Sequence, residues 1–107
     1  MRAPAAAREV QEELGITPPI GRLLVADWAP NQTEGDKLLF VFDGGVLDPE
    51  HRDKIQLGAD EITAYEFHDV ARIHELTIER LARRIVWGQA ARKDGSTCYL
   101  EHGQRVG

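Results

Sequence analysis

Ala3, Ala6, Ala7, Val10 and Leu14 recur three and four residues apart near the start of the chain, the spacing of one face of an α-helix. Pro4 suits a first helical turn and Gly15 suits a left-handed cap, so a helix is predicted over Pro4 to Leu14. Beyond the Pro18-Pro19 break, Ile20 to Trp28 is rich in aliphatics, and Lys37 to Phe42 is a second apolar run with two phenylalanines. With the polar stretch Pro30 to Asp36 between them, they predict two strands joined by a loop. Asp48 to Gly58 is polar and mixed, the composition of a long surface loop. Glu61 to His68 alternates, with Ile62, Ala64 or Tyr65, and Phe67 marking a third strand, and Asp60 or Asp69 is placed to cap the next helix. From Val70 to Lys93, Leu76, Leu81, Ile85, Val86 and Ala90 predict a short helix and a long one, with Arg80, Arg83, Arg84 and Arg92 on the other faces. Those arginines are read as a solvated face, with phosphate as the alternative partner. Asp94-Gly95 makes a turn, and Thr97 to Leu100 forms a short strand before a polar tail.

The length of 107 residues, with 42% hydrophobic and 29% charged content, predicts one domain spanning 1–107, and no repeat or linker divides it. A net charge of −5 argues against a nucleic-acid polymer as partner, because neutralising that backbone takes clustered Lys and Arg. A small phosphorylated ligand stays compatible with this charge when a cation mediates the contact. Cys98 is the only cysteine, which excludes an intramolecular disulfide and a cysteine-based zinc cluster. His51, His68, His74 and His102 show no zinc-ligand spacing either. Arg8 and Glu9 interrupt the alanine-rich opening before it reaches the length of a signal peptide's apolar region, and no apolar run is long enough to span a bilayer. A cytoplasmic protein with no membrane partner is the expectation.

The chemistry lies on the first helix. At 100° per residue, Glu9, Glu12 and Glu13 fall within one arc of about 100°, beside the apolar arc of Val10 and Leu14. Carboxylates three and four residues apart repel one another on an exposed helix by a few tenths of a kcal/mol per pair. A hard divalent cation reverses that cost, since Mg²⁺ takes oxygen ligands and commonly binds through a small number of carboxylates with waters and substrate phosphates. Arg8 stands four residues before Glu12 and can brace its carboxylate. A lone cluster of three glutamates is ordinarily no more than a solvated helix face.

The segment Arg8-Glu9-Val10-Gln11-Glu12-Glu13-Leu14-Gly15-Ile16 resembles the end of the Nudix box, G-x5-E-x7-R-E-U-x-E-E-x-G-U with U aliphatic, and matches all seven specified positions from the arginine onward. A chance match in a chain of this length arises on the order of once in 10⁵, which weighs against a merely solvated face. The resemblance implies an α/β fold, an incomplete Nudix α/β/α sandwich with a mixed sheet and its early strands absent, and Mg²⁺-dependent or Mn²⁺-dependent hydrolysis of a diphosphate linkage. The substrate it implies is a nucleoside diphosphate linked to another group. Carried over by position, Glu12 and Glu13 are metal ligands, Glu9 a ligand or base, Arg8 the brace and Gly15 the helix stop. Two further residues are candidates for the substrate side: Glu61, at the head of the third strand, and Trp28, whose ring can stack on a base or ribose or else belong to the core.

The box's opening glycine and first glutamate are expected upstream of Met1, so the chain reads as beginning inside the box. That raises a rival expectation, a catalytically inactive Nudix-derived fragment acting as a binding or assembly module. An unpaired sheet edge would invite a second copy of the chain, giving a homodimer.

Overall fold

The structure is a computed structural model that describes residues 3–58 and 62–106. In chain order its elements are helix α1 (Ala3–Leu14), strands β1 (Leu23–Ala29) and β2 (Lys37–Phe42), helix α2 (Pro49–Asp53), a 3-10 turn (Val70–Arg72), helices α3 (Ile73–Leu76) and α4 (Glu79–Asp94), and strands β3 (Cys98–Glu101) and β4 (Gln104–Arg105). They belong to two compact units, one of residues 1–21 and 43–67, the other of residues 22–42 and 68–107.

The second unit holds the sheet. Its strands run in the order β2-β1-β3-β4. β1 pairs antiparallel with β2, placing Trp28 opposite Leu38, and parallel with β3, placing Asp27 opposite Leu100. The fold is therefore α/β with a mixed sheet, as predicted. β1 begins at Leu23 rather than Ile20, and the polar tail contributes the short strand β4. Leu24, Val25, Ala91 and Leu100 form the buried cluster, with Val41, Trp87 and Cys98 packed on it.

The long helix turns a different face inward from the one its apolar spacing suggests. Leu81 and Val86 are each 36% exposed, whereas Arg84, Gly88 and Ala91 are buried. The reason is size: a Cβ added at Gly88 would stand 3.6 Å from Val25 and 3.8 Å from Val41, so the small stripe lets the helix axis approach the sheet closely. The solvated reading of Arg84 is thereby corrected: its guanidinium faces Asp27 on β1.

β3 and β4 are joined by His102-Gly103, both with positive φ (55° and 75°), the two-residue turn that matches strand twist. A Cβ at Gly103 would lie 2.9 Å from the Arg80 carbonyl oxygen, so glycine is demanded there both by backbone angle and by space.

In the first unit, α1 stops at Gly15, whose N–H donates to the Gln11 carbonyl at 2.9 Å. The predicted loop over Asp48 to Gly58 contains the short helix α2, capped by Asp48, which accepts from the His51 N–H at 2.8 Å. The third strand predicted over Glu61 to His68 is absent from its described residues, and Glu61 itself lies outside them together with Asp60. Alternation alone cannot make a strand when no neighbouring strand supplies the ladder. Tyr65 and Phe67 instead meet edge to face at 6.0 Å, with the Arg52 guanidinium 5.7 Å over the Phe67 ring.

Candidate functional site

α1 carries the glutamates. Glu9 and Glu12 are exposed and Glu13 is half-buried, alongside the half-buried Ala6, Val10 and Leu14. That grading follows the helical wheel, because Glu13 is the member of the acidic arc nearest the apolar one. Arg8 Nε stands 3.8 Å from Glu12 Oε1, within ion-pair range and beyond hydrogen-bond range. Both side chains are about two-thirds exposed (68% and 63%), so this contact orients Glu12 loosely and adds little stability.

The last turn of α1 carries no basic residue, while Glu12 and Glu13 sit in it. The C-terminal end of a helix bears partial negative charge, so carboxylates there add to the repulsion within the row. The end is held from outside the helix. Gln56 N–H donates to the Leu14 carbonyl at 2.8 Å and Gly58 N–H to the Glu13 carbonyl at 3.0 Å, which satisfies two of the carbonyls a helix leaves without partners. Gly58 approaches so closely that an added Cβ would lie 2.7 Å from the Glu12 carbonyl oxygen. This strap is not legible in the sequence, where Gly58 only closes a polar stretch. Its one signal is that glycine.

Among the described residues, no group of three or more His, Cys, Asp or Glu side chains is gathered closely enough to hold a metal ion. The glutamate row thus does not form a three-carboxylate cage. Its donor chemistry fits a hard divalent ion held through one or two carboxylates with the remaining positions taken by water and phosphate oxygens, the usual manner of Mg²⁺.

In the sheet unit, Trp28 is 38% exposed and its carbonyl accepts from the His102 N–H at 2.8 Å. It is not a core residue. Leu38, opposite it, is 50% exposed. Asp27, its neighbour along β1, points to the other side of the sheet and is fully buried. It accepts from Arg84 Nε at 2.7 Å and from the Gly103 N–H at 3.1 Å. Sequence reasoning missed this pair, although a carboxylate inside the apolar run Leu23 to Ala29 signals that a buried partner must exist.

A mixed sheet with a helix packed on it, together with a helix that ends in a row of carboxylates, defines the class: an α/β protein with an acidic helix. A family model described as NUDIX domain matches residues 3–87, and the chain belongs to that family. At family level it is therefore a Nudix-type hydrolase. The chain matches no curated protein and no solved structure. No helix among the described residues is long and apolar enough to cross a membrane.

Proposed function

We propose that the chain hydrolyses a diphosphate linkage in a nucleoside diphosphate joined to another group, with Mg²⁺ or Mn²⁺ held through one or two carboxylates of the row Glu9, Glu12 and Glu13. One observation carries this reading: carboxylates crowd the C-terminal half of α1, where both mutual repulsion and the helix dipole disfavour them, with no basic residue in the last turn to compensate. Such an arrangement is stabilised by a cation. When bound, the ion neutralises diphosphate charge and makes a water more acidic. Glu12 and Glu13 offer carboxylate oxygens from the same helical turn, Glu9 stands one turn earlier as ligand or base, and Arg8 keeps a positive charge beside Glu12. The strap of Gln56 and Gly58 holds the carbonyls of Leu14 and Glu13, and so the backbone from which the Glu13 side chain projects. Trp28, a partly exposed residue, is the candidate for stacking on a base or ribose.

Titration with Mn²⁺ followed by paramagnetic broadening tests the ligand assignment. Broadening focused on Glu9, Glu12 and Glu13 is expected, and broadening spread evenly over the acidic surface refutes it. Hydrolysis is then assayed on nucleoside diphosphate derivatives with and without Mg²⁺, and equal rates in the two overturn the metal-dependent chemistry.

A second reading, an assembly module, draws on β2, the outer strand of the sheet, whose Lys37 and Leu38 are exposed. Its outward N–H and C=O groups suit pairing with a second copy. A monomeric mass at high concentration rejects it.

A further inference from the structure

Where β1 ends, β2 begins and α4 starts, Asn31, Lys37, Arg80 and Arg84 line a cleft of about 250 Å³ together with Ala29, Pro30 and Leu39. All of these residues lie in the sheet unit. Three of them are cations and none is an acid. Arg84 is 9% exposed, and Asp27 engages its Nε, yet its Nη2 is buried with no hydrogen-bond partner. A buried guanidinium nitrogen without an acceptor destabilises the fold, and a ligand that supplies the acceptor relieves that cost. Lys37 is paired with Glu34 at 2.8 Å, and the Asp36 carboxylate accepts from the Asn31 N–H at 3.2 Å. Arg80, exposed and lining the cleft, has no ion pair among the described residues, which leaves its charge uncompensated there.

We propose that this cleft binds the phosphoryl group of a small phosphate ester. Cationic donors reach it from β2 and from successive turns of α4, and a tetrahedral phosphoryl group accepts from several directions at once. A carboxylate is satisfied by a single planar fork. The volume exceeds that of the phosphoryl group alone, and Ala29, Pro30 and Leu39 give its organic portion an apolar part of the lining. The site is built wholly from the sheet unit and does not depend on a metal at the glutamate row.

The test uses inorganic phosphate as probe, followed by NMR of backbone amides and of arginine Nε–H groups. Phosphate should shift the Arg84 Nε–H and the amides of Asn31 and Lys37 saturably, while acetate at matched ionic strength leaves them in place. Arg80→Ala and Lys37→Ala, both at exposed positions, should each weaken phosphate binding by about tenfold, the worth of one charge-assisted hydrogen bond, with the thermal midpoint retained. Equal shifts with acetate, shifts that do not saturate, or wild-type binding by both variants would each overturn the proposal. Hydrolytic activity is not among the readouts, so failure here is distinct from failure of the glutamate assignment.

Discussion

Truncating Asp27 to alanine tests the reasoning about the sheet unit most directly. Asp27 is fully buried, Arg84 keeps 11% of its side chain exposed, and the two meet at 2.7 Å. Asp27→Ala removes the acceptor of Arg84 Nε and of the Gly103 N–H together, leaving a guanidinium that already has one nitrogen without a partner almost wholly unpaired. Breaking a buried pair from one side costs about 3–5 kcal/mol, because the remaining charge stays desolvated. Against a total stability of about 5–15 kcal/mol for a chain of this size, that is roughly a fifth or more, and the thermal midpoint should drop by more than about 10 °C. Urea unfolding monitored by Trp28 and Trp87 fluorescence reads the change, with the m-value showing whether unfolding stays cooperative. The double variant Asp27→Leu with Arg84→Met removes both charges and should recover most of the loss, since a buried pair replaced by apolar groups is often near neutral. A loss below about 1 kcal/mol in Asp27→Ala would refute the argument, as it would mean that water or another acceptor compensates the guanidinium.

Glu12→Gln keeps size and helix propensity while removing a charge; kcat/KM with Mg²⁺ should fall by on the order of a hundredfold with the thermal midpoint unchanged or slightly raised, and full activity would exclude Glu12 as a ligand. Gly58→Ala places a methyl 2.7 Å from the Glu12 carbonyl oxygen, so the strap must shift and release helix carbonyls; about 1–3 kcal/mol should be lost in chemical denaturation, and Mn²⁺ broadening at Glu12 and Glu13 should weaken alongside it. The Asp94 carboxyl is held below its usual value of 3.8, first by the Ser96 hydroxyl and then by the Ser96 backbone N–H. A carboxylate with a lowered folded-state pKa contributes fully above its unfolded value and loses the contribution as pH falls through the lower folded one. Thermal midpoints of Asp94→Asn should accordingly fall less steeply than those of the parent below pH 3.8, and parallel curves would refute the assignment.

Local spacing determined much of this protein. The helix that bears the glutamates, its Gly15 stop and the limits of β2 follow from apolar periodicity and cap residues, because neighbours a few positions apart decide them. The seven matching positions of Arg8 to Ile16 identified the family for a similar reason: the carboxylates that would share an ion lie on one helix, so their geometry is already written in their spacing. Partners distant along the chain were decided only by tertiary structure. Glu61 to His68 has a strand's alternation, yet Ile62 to His68 forms none, since a ladder needs a neighbour that alternation cannot specify. The strap from Gln56 and Gly58 to the end of α1 is a contact of backbone groups, which carry no side-chain signature. Arg84 reads in sequence as one more cation on a solvated helix. It is buried because Gly88 and Ala91 form the stripe facing the sheet, and because packing alone brings a carboxylate on β1 to its Nε.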